Sequence, residues 1–290
     1  MSCASGFAGA IPLAYRRFAL SIKAPPCVTT SPSDLLGTTR RIVVINATSL
    51  SSAKLNRKLE LAIAQQMARI SRRMIQEGYA IRFARCGARL QLLRMPYAEG
   101  ILRGAPDEMS QAVRQWLDAN IPPAVRSANN FLVYSNAVDY KQFQKIAGFA
   151  EVPVAVVNPE SAVGLTGVVF VSPALRNLTR FFGFPVDGTA IHELLHALGA
   201  VDPRAPHATQ RFHCFDKEDV MCYNDGAANW RKLVACPKNK KSARSTLMLP
   251  IDCRHDDYFD PRNRIGAAGI WNVANSPFLM QLPPPTKNTK

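Results

Sequence analysis

The stretch HELLHALGAVDP, residues 192 to 203, constrains this chain more than any other. Ile191, Leu194, Leu195 and Leu198 recur at steps of three and four, the stripe that one face of a helix buries. Asp187, Gly188 and Thr189 supply a helix start, while Gly199 and Pro203 prevent the helix from continuing. Within it His192 and His196 are one turn apart, so both imidazoles project from the same side. They are spaced to share one zinc ion, Zn2+, at about 2.0–2.1 Å. Glu193 sits beside them, placed to act as general base on a metal-activated water.

A catalytic zinc keeps three protein ligands and one open position, so a third donor is needed. Gly199, just past the helix, can take a positive φ and turn the chain sharply. That bend brings Asp202 back toward the ion, and a carboxylate is a competent zinc ligand. His207, delivered by a loop returning through Pro206, is the alternative third ligand. His213 and His255 read as local hydrogen-bonding residues, and all five histidines fall between 192 and 255.

The pattern His192, Glu193, His196, Gly199 and Asp202, followed by Met221 in EDVMCYNDG, resembles the metzincin zinc endopeptidases in their Asp-ended, snapalysin-like form. The wider stretch from about 185 to 280 is also similar to secreted bacterial proteins bearing a metzincin-like site. The resemblance implies that Met221 forms a hydrophobic floor beneath the metal. It also implies that Tyr223 matches the tyrosine that reaches the zinc or steadies the tetrahedral intermediate in astacin-like and serralysin-like members. From the residues alone, Met221 as a plain core methionine and Tyr223 as a structural hydroxyl remain open. The expected function is a zinc-dependent endopeptidase acting on a polypeptide. The alternative is a non-catalytic, zinc-containing secreted binding protein.

Elsewhere the chain alternates strands and helices. RIVVINAT reads as a buried strand, and Leu55, Leu59, Ile63, Met67, Ile70 and Met74 as the face of an amphipathic helix ended by Gly78. YAIRFAR and LQLLRM read as two strands joined at Gly87, and DEMSQAVRQWLDA as a second helix with Asp107 as N-cap. NFLVYSN, VPVAVVN and GVVFVS are further strands. The fold class expected is α+β and metzincin-like: a mixed twisted sheet with two helices and an active-site helix, then an irregular disulfide-tied C-terminal lobe. Residues 1–38 read as a leader or loosely ordered arm and 39–282 as the catalytic domain, with an upper lobe 39–200 and a lower lobe 201–282. Residues 283–290 read as a disordered tail.

Composition, at 47% apolar and 20% charged, suits a folded domain and excludes disorder or a collagen-like class. The longest apolar run is interrupted by Asn158, Pro159 and Glu160, so no transmembrane segment is expected. Much of the net charge of +15 falls on residues 54–94, where ten Lys and Arg face Glu60 and Glu77. That segment is a solvated helix face or a contact for anionic polymers or surfaces; it carries no nucleic-acid recognition motif. Of seven cysteines, Cys214, Cys222, Cys236 and Cys253 cluster without a CxxC, which favours disulfides in a secreted monomer, paired 214 with 222 and 236 with 253. Cys3, Cys27 and Cys86 have no assigned pairing, and a cysteine-switch role in latency stays open for them. No secretory leader is clearly recognisable. HDDYFD, holding Asp256, Asp257 and Asp260, reads as a turn packing its Tyr and Phe rather than as a calcium loop.

Overall fold

A computed structural model describes residues 13–21, 23–37, 39–48, 53–95, 106–135, 148–150, 163–170, 186–215, 219–227, 250–252, 254–262 and 271–284. The core strand is β2 (Ile42–Ala47), whose six residues are all buried. Its Ile42 and Val44 face one hydrophobic cluster, while Val43, Ile45 and Ala47 face the other. A β-branched run with no polar alternation is what a strand covered on both faces requires. Beside it lie β5 (Arg89–Arg94) and β6 (Asn130–Ser135), both parallel to it.

The sheet runs β1-β5-β2-β6-β8-β7, with β1 (Cys27–Thr29) at one edge and β7 (Gly148–Ala150) at the other. β8 (Thr166–Phe170) is parallel to β6, and at the far edge β7 reverses direction. A short strand β4 (Arg85–Cys86) also pairs antiparallel with β5 across Gly87, whose φ of +61° permits the tight turn. The layer is therefore mixed, as expected, but mostly parallel.

Helix α1 (Ala53–Gln76) covers one face through Leu59, Ile63, Met67, Ile70 and Met74, the periodic residues of the sequence. Helix α2 (Pro106–Asn120) and the short α3 (Pro123–Ala128) cover the opposite face through Val113, Leu117 and Val125. The second of these was not foreseen; it begins at Pro123, and a proline in a helix's first turn loses no hydrogen bond. Helix α4 (Val186–Ala197) carries the HExxH motif on the α1 side of the sheet, against β7 and β8.

Two expectations need correcting. YAIRFAR does not pair with LQLLRM along its length: β3 (Tyr79–Ile81) instead pairs antiparallel with β9 (Leu279–Gln281), tying the strand after α1 to the C-terminal part of the chain. Nor are residues 13–37 a loose arm. They supply edge strand β1, close a disulfide from Cys27 to Cys86 with Cα atoms 6.4 Å apart, and bring carbonyls of Phe18 and Ala19 to Arg85 at 3.1 and 3.0 Å. The physical reason is the two-sided sheet: β5 would otherwise expose a long hydrophobic edge. The remaining part of the leader (1–12), VPVAVVN, the Cys236 and Cys253 pairing and tail residues 285–290 lie outside the described residues.

Candidate metal centre

Helix α4 is seated by close approach. A Cβ built on Gly167 of β8 would lie 2.7 Å from the Glu193 carbonyl oxygen, and one on Gly148 of β7 would lie 2.7 Å from Glu193 Oε1. Only glycine lets the two strands meet the helix at this separation. Ala190, Ile191, Leu194, Leu195 and Leu198 fill the interface beneath it. The helix closes through Gly199 at φ +90°, with Ala200 N–H donating to the Leu195 carbonyl at 2.9 Å and Gly199 N–H to the His196 carbonyl at 2.8 Å. This 6→1 and 5→2 pair is the Schellman arrangement that a C′ glycine favours. The buried Asn130 side chain also donates to the Ala197 carbonyl at 2.6 Å.

The histidines emerge as the helical spacing requires. His192 Nδ1 lies 2.8 Å from the Val220 carbonyl, which makes Nδ1 the donor and leaves Nε2 with its lone pair. His196 Nε2 lies 3.1 Å from His192 Nε2. Two nitrogens held about 2.0–2.1 Å from one tetrahedral ion stand about 3.3 Å apart, so this pair is already at ligand separation.

The third imidazole is that of His213. Ring nitrogens of His192, His196 and His213 all lie within 4.8 Å of one another, and the His213 ring centroid is 5.3 Å from each of the other two. Asp202, the expected third ligand, is turned elsewhere: its carboxylate accepts from the Arg204 backbone at 2.9 Å and from two guanidinium nitrogens at 2.7 Å. Against the upward pull of partial burial, Arg204 holds the Asp202 carboxyl below its ordinary range. The cause is the chain path after Gly199. Val201 also takes a positive φ of 53°, and this second bend directs Asp202 into a turn that its carbonyl closes with Ala205 N–H at 2.7 Å. His207, the alternative, is engaged with Asp257 at 2.7 Å.

His213 therefore does more than the local hydrogen bonding expected of it. No spacing rule from the helix could find it, because sixteen residues separate it from His196, all but Ala197 of them beyond the helix. His255, by contrast, does bond locally, through Nδ1 to the Phe259 carbonyl at 3.0 Å. The HDDYFD stretch is a loop organised on Asp252, whose carboxylate accepts the N–H groups of Asp256, Asp257, Tyr258 and Phe259, with Tyr258 and Phe259 buried. Asp256 and Asp257 do share a second metal-compatible group with His207 there.

Met221 is fully buried in the larger core cluster. Its N–H donates to Asp219 at 2.7 Å and its carbonyl accepts from Cys214 N–H at 3.2 Å, so Met221 holds the residue after His213 while the adjacent Val220 carbonyl meets His192. The Cys214–Cys222 disulfide expected from the short spacing is present, with Cα atoms 4.2 Å apart. Tyr223 is 52% exposed, its ring 4.1 Å from His213 and 5.8 Å from His192.

Electrostatics follow from burial. Desolvation, helped by the neighbouring His213, lowers the His192 pKa to about 4, and desolvation with the nearby His192 and His213 lowers His196 well below its ordinary value. Burial also lowers His213, against the pull of Asp225. All three rings are thus neutral near pH 7, the form that ligates. Burial raises Glu193 well above the usual carboxyl range, and Tyr223 is raised by burial and by the nearby Glu193. These residues fit a divalent ion that accepts nitrogen donors, since three unprotonated imidazoles bring their ring nitrogens within 4.8 Å of one another.

The basic segment 54–94 is partly structural. Arg94 pairs with the buried Glu60, Nη2 to Oε2 at 2.7 Å, Arg73 pairs with Glu77, and Arg85 serves the backbone of residues 18 and 19. Lys54, Arg57, Lys58, Arg72 and Arg89 stay exposed. Among the described residues no helix is long and apolar enough to cross a membrane. No family model matches the chain, and no curated protein matches it in sequence.

Proposed function

We propose that the chain is a secreted zinc-dependent endopeptidase of metzincin-like fold, with His192, His196 and His213 holding the metal and Glu193 as general base. The observation that carries this reading is the convergence of three imidazoles, two of them on one helix with a buried glutamate between them and the third from a loop. A structural zinc needs four closed ligands and has no use for such a base, whereas a catalytic one keeps an open position. Zinc, when bound, supplies a Lewis acid for the scissile carbonyl and lowers the pKa of the attacking water.

The protein's own groups do the rest. Glu193, its basicity raised by burial, takes the proton of the water and returns it to the leaving amine. Tyr223, its ring tilted against that of His213 and its hydroxyl kept protonated, donates to the developing oxyanion. The Met221 turn underlies the centre by fixing His192 through the Val220 carbonyl.

The test is Glu193→Gln in the purified protein. Zinc content stays at one equivalent, while cleavage of a casein-type substrate falls by about 10²–10⁴-fold. Hydrolysis by the variant at the parent's rate removes the glutamate from its role, and parent protein without chelator-sensitive hydrolysis removes the peptidase reading.

A further inference from the structure

His213 is the only member of the imidazole triad not carried on α4, and a small closed network aims its ring. Its Nδ1 lies 3.0 Å from Asp225 Oδ2, and that carboxylate is 5% exposed. The same Oδ2 receives the Thr209 hydroxyl at 2.6 Å, while Oδ1 receives Ala227 N–H at 2.8 Å. The Thr209 hydroxyl oxygen accepts the N–H groups of Arg211 and His213, each at 3.1 Å, so its one proton is committed to Asp225. Arg211 closes the ring by donating from its guanidinium to the Asp225 carbonyl at 2.8 Å, and Thr209 N–H donates to the His213 carbonyl at 2.6 Å.

An ionised carboxylate only accepts. With Thr209 donating to it, the hydrogen between Asp225 and His213 belongs to the imidazole Nδ1, and Nε2 is left with its lone pair. We infer that Asp225, clamped by Thr209, is the positioning residue of the metal centre: it fixes the tautomer and the ring orientation of His213, so that Nε2 completes the ligand set begun by α4. His192 obtains the same service from the neutral Val220 carbonyl. His213 obtains it from a charged group, which strengthens the imidazole as a donor. This suits a ligand on a loop, which lacks a helix to hold its backbone.

The inference rests on reading the triad as a metal centre, and the experiment separates the two. Asp225→Asn keeps the size and removes the charge that dictates the tautomer. Two measurements are made on full-length protein. Long-range ¹H–¹⁵N spectra of the metal-free parent are expected to show His213 as the Nδ1–H tautomer, with the variant shifted toward a tautomer mixture. Zinc affinity, measured by competition with a chelator, is expected to fall about 10–100-fold in the variant while its metal-free melting curve stays in place. An unchanged His213 tautomer together with zinc affinity within about twofold of the parent overturns the inference. So does an Nε2–H tautomer in the parent itself, a result that needs no variant to fold. A parent that binds no zinc, yet loses the Nδ1–H form on substitution, sinks the metal reading and leaves the hold of Asp225 on His213 standing.

Discussion

Two neighbouring residues show how far a local rule reaches. Asp202 satisfies every sequence criterion for a third ligand, being three residues past the glycine bend and followed by proline, but Arg204 lies two residues on and takes both of its oxygens. A guanidinium and a carboxylate that close in sequence form a bidentate pair in the turn that the backbone already prefers. His213 has no such competitor and is oriented by Asp225. Asp202→Ala is therefore expected to leave zinc stoichiometry unchanged, because it removes a pair with the half-exposed Arg204 and no member of the imidazole triad. His213→Ala is expected to lower zinc affinity by more than 100-fold. Elemental analysis after dialysis against a weak chelator measures both, and loss of metal from the Asp202 variant alone would return the ligand to Asp202.

At the scale of elements, α4 depends on the strands beneath it more than on its own propensities. Gly167 is where β8 passes under the helix backbone, and a methyl group there meets the main-chain carbonyl of Glu193, which cannot swing aside as a side chain would. Gly167→Ala is expected to destabilise the fold by about 1–3 kcal/mol, in the range of overpacked cores, and a shift in the urea midpoint at constant slope reports it. A variant as stable as the parent would mean that α4 is not held at this distance. The apolar stripe of α4 and its glycine stop were legible in the sequence, as were α1, β2, β5, β6 and β8, because each repeats a period that a single element imposes. What β3 pairs with was not, since Leu279–Gln281 is too short to announce itself and its partner is some two hundred residues away.

For the whole molecule, the described residues between α4 and β9 are held in large part by buried polar groups. Asp219 links the Met221 turn to the 252–260 loop, accepting from Met221 N–H at 2.7 Å and from the Tyr258 hydroxyl at 2.8 Å. Burial, and then the nearby Asp252 carboxylate, push its pKa up to about 8. A raised carboxyl pKa means that the folded state binds a proton which the unfolded state has already released. The contribution is fully present below about pH 4 and is lost as pH rises through about 8. The slope of stability against pH in that window approaches about −1.4 kcal/mol per unit for this one group. Asp219→Asn, which keeps the acceptor oxygen, should flatten the decline between pH 5 and 8, as followed by thermal melting across that range. An equally steep decline in the variant would remove Asp219 as its source and leave it to the other buried carboxyls, Glu193 and Asp252.

Sequence by itself determined what depends on neighbours along the chain: the helix bearing His192, Glu193 and His196, its end at Gly199, the buried strands, and the short Cys214–Cys222 closure. Periodicity, capping and short loop closure are local, so the residues that specify them are adjacent. Tertiary structure alone decided which histidine joins the pair, that Asp225 aims it, that Cys27 pairs with Cys86, and that residues 27–29 complete the sheet. Those outcomes depend on where loops return after leaving the core, and a return is settled by the burial and hydrogen bonding of groups far apart in the chain.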